Sequence, residues 1–138
     1  MISGSNPMGE LIQRLKPCCL EFPEIELAIL FGSMATGKAS SESDLDIGVA
    51  GPAAIDWRTK MRLVEAISLV ALRPVDLVDL RTASGTLLHQ ILTTGEIILC
   101  RNHTLYADLI KKMLFDQADF QPMVRRIFQE RRKKWIGV

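Results

Sequence analysis

Short apolar segments alternate with amphipathic ones along most of the chain, a pattern typical of strands interleaved with helices. Residues 26–32 (ELAILFG) form an apolar run that ends at a glycine, and they predict a buried strand. Residues 44–50 (DLDIGVA) alternate from their first position and predict a second strand. Residues 74–80 and 96–100 predict two more. We therefore expect an α/β or α+β domain rather than a bundle or a sandwich.

One helix is predicted before the first strand and a longer one after the second. Residues 7–16 form a short helix that Pro17 should end or kink, because proline lacks the N–H that a helix interior needs. Residues 53–72 form a longer helix with apolar positions at three- and four-residue spacing. These positions are Trp57, Met61, Val64, Ile67 and Ala71.

The second half of the chain contains further helical patterns. Residues 82–94 predict a helix that ends at Gly95. Its inward positions are expected to be Leu87, Leu88, Ile91 and Leu92. Residues 104–135 are expected to be mainly helical, as one or two helices.

The composition fits a folded protein of one domain. The chain has 138 residues, of which 48% are hydrophobic and 24% charged. We expect one domain over residues 1–138, with a core of about 8–101 and a helical C-terminal extension of about 103–136. No apolar run approaches the ~20 residues of a membrane-spanning helix. The N-terminal residues lack the pattern of a secretory signal, so we expect a cytoplasmic protein with no membrane partner.

Neither the cysteines nor the net charge of the chain identifies a binding partner. Cys18, Cys19 and Cys100 have no repeated spacing and are expected to be buried thiols in a reducing compartment. Residues 120–138 contain six basic side chains and one acidic side chain. A solvated helix face is the default interpretation, and an acidic partner protein or nucleotide phosphates are the alternatives. Direct nucleic-acid binding is not expected, since aromatic residues make up only 6% of the chain.

Two acidic residues at the start of the second strand are the main candidates for chemistry. Asp44 and Asp46 are two positions apart, so in a strand their side chains project from one face. Carboxylates that converge in this way can bind Mg²⁺ together with substrate phosphates. Two metal ions about 3.5–4 Å apart stabilise both the attacking and the leaving oxygen of a phosphoryl or nucleotidyl transfer. The spacing therefore suits a metal-dependent nucleotidyl transfer.

Further candidates flank these two acids. Gly32 and Ser33 follow a strand and should open a helix, so backbone N–H groups and the serine hydroxyl can hold phosphate oxygens. A third carboxylate is expected from residues 74–80, which offer Asp76 and Asp79. These two are three positions apart and face opposite sides of a strand, so only one of them can join the metal site.

The order of these residues carries a family resemblance. In the stretch GSMATGKASSESDLDIGV, Gly32 and Ser33 are followed after ten residues by Asp44 and Asp46. This arrangement resembles the signature of minimal nucleotidyltransferases in the polymerase-β superfamily, and in particular the antitoxins of HEPN-type toxins. VDLV at residues 75–78 looks like the strand that carries the third acid in that family. The resemblance implies a polymerase-β-like fold, with a small mixed sheet flanked by helices and a helical C-terminal tail.

The resemblance also implies an activity and roles for residues. By position in the match, the third acid is Asp76, which would complete the catalytic metal site with Asp44 and Asp46. The expected reaction transfers AMP from ATP, with two Mg²⁺ ions, to a tyrosine hydroxyl of a cognate HEPN ribonuclease toxin. Many relatives have an arginine in the loop where this chain has Thr36, and Lys38 is the candidate that supplies the missing positive charge.

Other interpretations stay open at this stage. A glycine-serine pair also occurs in ordinary turns, and an Asp-x-Asp is often a solvated strand end. The chain is alternatively a non-catalytic antitoxin that acts by covering its toxin, or an adenylyltransferase that acts on a small molecule. Asp56 and Asp79 are expected to be solvated or capping residues.

Overall fold

The computed structural model of the chain describes residues 7–36, 44–116, 126–127 and 129–131. Lys38 and most of the predicted C-terminal extension beyond residue 116 lie outside these ranges. None of the helices within them is long and apolar enough to cross a membrane. In chain order the elements are α1 (Pro7–Leu20), β1 (Leu27–Phe31), α2 (Ser33–Thr36), β2 (Leu45–Ala50), α3 (Trp57–Ala71), β3 (Val75–Asp79), α4 (Gly85–Thr94), β4 (Glu96–Cys100) and α5 (His103–Asp116).

The four strands form one mixed sheet in the order β3-β2-β1-β4. β1 is antiparallel to both β2 and β4, and β2 is parallel to β3. A parallel pair needs a long crossover, which α3 provides. The predicted α/β class and mixed sheet are confirmed. One end of the sheet, here called the Asp46 end, holds the last residue of β1 and the first residues of β2, β3 and β4. The opposite end is called the Ala50 end.

Helices cover both faces of this sheet. α1 and α3 pack on one face, where Leu30, Leu45 and Ile47 are buried. α4 and α5 pack on the other face, where Ile29 and Phe31 are buried. Because side chains alternate along a strand, each buried strand serves two cores at once. This arrangement explains why the strand segments are nearly continuous in apolar residues.

Helix α1 does not end at Pro17, which corrects one of the alternatives predicted for that residue. The helix continues to Leu20, with Pro17 in its interior. Leu15 and Cys19, on either side of the proline, are completely buried, and this packing offsets the lost backbone hydrogen bond. The guanidinium of Arg101 donates to the carbonyl oxygen of Leu20 at 2.6 Å and holds the end of the helix.

Helix α3 confirms Ile67 and Ala71 as inward positions, but the buried face is rotated relative to the predicted one. Its buried positions are Leu63, Ile67 and Ala71. Trp57 and Met61, which the spacing placed on the apolar side, are instead 69% and 56% exposed. Leu63 is the residue that packs against the sheet in their place. The helix therefore carries large apolar side chains on two sides, and periodicity alone did not separate them.

Helix α4 follows its prediction with small changes. It spans Gly85–Thr94, and Gly95 caps its C-terminal end by donating its N–H to the carbonyl oxygen of Ile91. Of the four positions expected to point inward, three are buried: Leu88, Ile91 and Leu92. Leu87 is 40% exposed, which corrects the fourth.

Arg131 in the C-terminal segment is buried rather than part of a solvated basic face. Its Nε donates to the Tyr106 hydroxyl at 3.3 Å, and its Nη2 donates to the carbonyl oxygen of Gly95 at 2.7 Å. Ile127, one helical turn earlier, is also buried in the core beneath α4 and α5. Burial is tolerated because each nitrogen named here has an acceptor. The default interpretation of the basic tail is therefore wrong for this residue.

Candidate active site

Strand register brings two predicted acids side by side at the Asp46 end of the sheet. Asp46 in β2 pairs with Asp76 in the parallel β3 and with Phe31 in the antiparallel β1. Residues paired in this way project from the same face of the sheet. Asp44 immediately precedes β2 and lies two positions before Asp46. The structure thus places Asp44, Asp46 and Asp76 together.

Asp46 sits at the centre of this group and is electrostatically strained. Burial raises the pKa of its carboxyl above the usual value, and the neighbouring Asp76 and Asp44 carboxylates raise that pKa further. Asp46 is half-buried, whereas Asp44 and Asp76 are exposed. A divalent cation at this point would relieve the repulsion among three like charges. The donor set is all oxygen, which suits Mg²⁺.

The acids form an open set and not a closed metal cage. Within the described part of the chain, no three His, Cys, Asp or Glu side chains are arranged closely enough to hold a metal ion by themselves. Mg²⁺ usually keeps several waters and is bound through one or two carboxylates plus substrate phosphates. An open carboxylate set therefore fits a metal that arrives with a triphosphate.

Gly32 forms the wall of the site beside Asp46. Its φ of +77° lies in the left-handed region that favours glycine. A Cβ on Gly32 would collide with Oδ2 of Asp46. The following residue, Ser33, begins α2, as the sequence predicted, and the Ala35 N–H donates to the Gly32 carbonyl oxygen at 3.1 Å. The backbone turn and the central carboxylate are thus packed against each other.

Asp79 has a different role from Asp76, although both belong to β3. Its carboxylate accepts hydrogen bonds from the Ile55 and Arg81 N–H groups, each at 2.9 Å. These contacts lie at the Ala50 end of the sheet, away from Asp46. Only one acid of β3 thus lies beside Asp46, as the strand parity predicted, and it is Asp76.

A family model described as polymerase beta, nucleotidyltransferase matches residues 13–104, which is well over half of the chain. The chain belongs to this family. Protein adenylyltransferase MntA of Shewanella oneidensis is 36% identical over 74 residues. That match covers 54% of this chain and 53% of the relative, so the chain spans about half the length of the curated relative it matches.

Solved structures extend the likeness over most of this nucleotidyltransferase. A chain from the crystal structure of a toxin-antitoxin with AMP-PNP has a TM-score of 0.62 and 26% identity, and the match covers 89% of this chain and 99% of that one. A chain from the crystal structure of the toxin-antitoxin MntA-HepT has a TM-score of 0.55 and 25% identity, with coverage of 88% and 96%. The polymerase-β-like fold is therefore confirmed.

Two predicted features of the nucleotidyltransferase loop stay predictions. Thr36, which stands where many relatives have arginine, is the last residue of α2. Lys38, the candidate for the missing positive charge, lies outside the described residues.

Sequence reasoning missed a polar cluster at the Asp46 end of the nucleotidyltransferase sheet. Arg131 lies 3.8 Å from the Glu96 carboxylate, measured from Nη1 to Oε2, and Glu96 opens β4 beside Leu30 of β1. The available signal was the four-residue spacing of Ile127 and Arg131, which puts both on one helix face. This cluster anchors the C-terminal segment on the face of the sheet that carries Asp46.

Proposed function

We propose that this chain is an antitoxin that transfers AMP from ATP to a tyrosine hydroxyl of a cognate HEPN ribonuclease toxin in the cytoplasm, and thereby neutralises the toxin. The observation that carries the proposal is the position of the Asp46 carboxylate between Asp44 and Asp76 and against the backbone of Gly32. The relative named as a protein adenylyltransferase and the toxin-antitoxin structure with AMP-PNP support the choice of nucleotide and partner.

The three aspartates fit a pair of Mg²⁺ ions. Asp44 and Asp46 would hold both ions, and Asp76 would complete the site of one of them. Bound there, the metals would neutralise charge on the triphosphate and make the acceptor hydroxyl a better nucleophile. Burial and the neighbouring carboxylates of Asp76 and Asp44 raise the pKa of Asp46, and a bound cation would favour its ionised form.

The residues of the chain then position the substrate. The backbone turn at Gly32 and the start of α2 at Ser33 would hold the β and γ phosphates, because N–H groups at this turn and the serine hydroxyl are donors. In the reaction, the acceptor oxygen bonds to the α-phosphorus, the bond to the bridging oxygen of the β-phosphate breaks, and pyrophosphate leaves. The acceptor hydroxyl releases its proton to solvent water in this step.

The proposal is tested by measuring the intact mass of the cognate HEPN toxin after incubation with this chain, ATP and Mg²⁺. We expect the toxin mass to rise in steps of one AMP and its ribonuclease activity to fall in parallel. The double variant Asp44→Asn with Asp46→Asn should produce no mass increase. If that variant neutralises the toxin as well as the wild type does at equal abundance, the chain acts by binding alone and the proposed catalysis is wrong.

A further inference from the structure

Arg131 is a buried cation beside Gly95 and Glu96, the two residues that connect α4 to β4 and are here called the α4–β4 junction. Its side chain is 8% exposed. Its three nitrogens approach three different groups: the Tyr106 hydroxyl, the Gly95 carbonyl oxygen and the Glu96 carboxylate. Burial of a cation is strongly unfavourable unless the charge is paired and hydrogen-bonded. The contacts that compensate this charge also hold the α4–β4 junction in place.

The α4–β4 junction is packed closely against β1. A Cβ on Gly95 would collide with the Ile29 side chain and with the Ile91 carbonyl oxygen, and it would lie 3.1 Å from the Leu30 carbonyl oxygen. The next residue, Glu96, pairs with Leu30 in the sheet. Interiors packed this closely transmit displacements from one element to the next. A movement of the junction would therefore move the end of β1.

An irregularity in the sheet increases the importance of this support. The pairing of β1 with β4 shifts register between Ala28 and Ile29, so two residue pairs, the last of them Leu30 with Glu96, lie on the Asp46 side of the shift. Such a shift disrupts the ladder locally and bends the strand. The two pairs beyond it are therefore poorly aligned by the rest of the ladder. Arg131 fixes their alignment because it contacts both residues of the junction.

The supported end of β1 leads directly into the Gly32 turn. Phe31 pairs with Asp46, and Gly32 packs against the Asp46 carboxylate. Leu30 precedes Gly32 by two residues, so the chain between them spans at most about 7 Å. The turn that would hold the β and γ phosphates thus lies close to the α4–β4 junction. A misplacement of about 1 Å in a substrate-positioning element can lower the rate about a hundredfold.

We infer that Arg131 is a positioning residue for nucleotide binding, which fixes the α4–β4 junction and thereby holds the Gly32 turn against Asp46. This inference rests on the proposed function, since it concerns the turn that would hold the β and γ phosphates. Arg131 acts through the junction and contributes no group to the reaction itself.

The test compares the same substitution at the two ends of α4. Arg131→Met removes the cation from the α4–β4 junction. The matched control is Lys112→Met, because Lys112 Nζ donates to the carbonyl oxygens of Arg81 and Ala83, at 3.0 and 2.8 Å, in the connection between β3 and α4. Arg131→Lys is measured as well. It keeps a cation near Glu96 but loses the planar fork that reaches several acceptors at once.

Three quantities are measured at a temperature at which circular dichroism shows each variant to be folded. They are the affinity for AMP-PNP with Mg²⁺ by calorimetry, the KM values for ATP and for the cognate HEPN toxin, and the melting temperature. Both methionine variants should melt earlier, because each removes hydrogen bonds from one end of α4. Only Arg131→Met should weaken AMP-PNP binding and raise KM for ATP, each about tenfold, with KM for the toxin within about twofold of wild type. Arg131→Lys should lose at least about threefold in AMP-PNP affinity.

Amide hydrogen exchange reports on the end of β1 without any nucleotide. Exchange in residues 29–32 should be at least about fivefold faster in Arg131→Met than in wild type, and unchanged in Lys112→Met. This measurement separates a local displacement of the Gly32 turn from a general loss of stability.

Two results would overturn the inference. One is AMP-PNP affinity within about twofold of wild type in the folded Arg131 variants, with Arg131→Lys deciding alone if Arg131→Met does not fold. The other is an equal loss of affinity in Lys112→Met, which would show that Arg131 only stabilises the fold. If the wild type binds AMP-PNP but adds no AMP to the toxin, the proposed function fails, and the binding and exchange measurements still decide the role of Arg131.

Discussion

The two ends of the sheet treat their carboxylates in opposite ways. At the Ala50 end, Asp79 accepts two backbone N–H groups, and nearby Asp56 caps α3 by accepting from the Thr59 N–H at 2.8 Å. At the Asp46 end, burial and two neighbouring acids raise the pKa of the central Asp46 carboxyl. The acids are satisfied at one end and crowded at the other, and we propose that the crowded end binds an external cation and substrate.

We therefore expect the stability of the protein to depend mainly on the Ala50 end and its AMP transfer to depend mainly on the Asp46 end. Changes at the Ala50 end should lower the free energy of unfolding and leave AMP transfer nearly unchanged. Replacing the carboxylates at the Asp46 end should abolish AMP transfer with little loss of stability.

The largest effect is expected from Asp46→Asn. Removing the central carboxylate removes a ligand of the proposed metal pair, so AMP transfer to the toxin should fall by about a thousandfold or more. A radiolabelled AMP-transfer assay measures the rate, and circular dichroism checks that the fold is retained. If the variant transferred AMP at a rate within about tenfold of wild type, the Asp46 carboxylate would not be essential for catalysis and the proposed difference between the two ends would be contradicted.

Gly32→Ala should have the next largest effect, and Gly85→Ala is its matched control. Both glycines have a positive φ, +77° and +60°, so both alanines should cost about 1–2 kcal/mol of stability. Only at Gly32 would the new methyl group collide with Asp46, whereas nothing lies within 4 Å at Gly85. AMP transfer should therefore fall about ten- to a hundredfold in Gly32→Ala alone. Equal rates in the two variants would contradict the proposed role of Gly32.

Asp79→Ala should affect stability and not catalysis. The Ile55 and Arg81 N–H groups would lose their acceptor, which should lower the free energy of unfolding by about 1–3 kcal/mol in urea denaturation. AMP transfer at a temperature well below the unfolding transition should stay within about twofold of wild type. A large loss of AMP transfer in the folded Asp79→Ala variant would instead show that Asp79 takes part in catalysis.

The smallest effect is a gain in stability from Asp46→Asn without divalent cations. Because the pKa of Asp46 is raised in the native state, its ionised form destabilises the fold at pH values above that pKa. The variant should therefore melt about 1–3 °C higher than wild type at pH 7 in EDTA. The difference should shrink as the pH falls through the pKa of Asp46, where the wild-type carboxyl becomes protonated. A lower melting temperature at pH 7 would show that Asp46 is not strained.

Much of the fold could be predicted because hydrophobic patterns report it directly. The four strands and the helices α1, α3 and α4 occur where the periodicity indicated, with boundaries shifted by a few residues, and α5 occupies the first part of the predicted helical range 104–135. The failures have a common cause, which is that tertiary packing decides between local alternatives. Buried neighbours carry α1 through Pro17, and the sheet selects Leu63 of α3 in place of Met61.

The candidate site could be predicted in part for a similar reason. Strand parity showed that Asp76 and Asp79 face opposite sides, but the residue paired with Asp46 depends on strand register, which local sequence does not contain. The resemblance selected Asp76, and the register places Asp76 beside Asp46. The buried contacts of Arg131 could not be predicted from composition, because a basic segment does not show which of its residues has buried acceptors.

The most direct test of this account compares Asp76→Asn with Asp79→Asn, two identical changes in one strand. The intact mass of the cognate HEPN toxin is measured after incubation with each variant, ATP and Mg²⁺. We predict that Asp76→Asn adds no AMP and keeps the thermal stability of wild type, whereas Asp79→Asn adds AMP normally and melts earlier. Normal AMP addition by Asp76→Asn, together with none by folded Asp79→Asn, would contradict the assignment of catalysis to the Asp46 end.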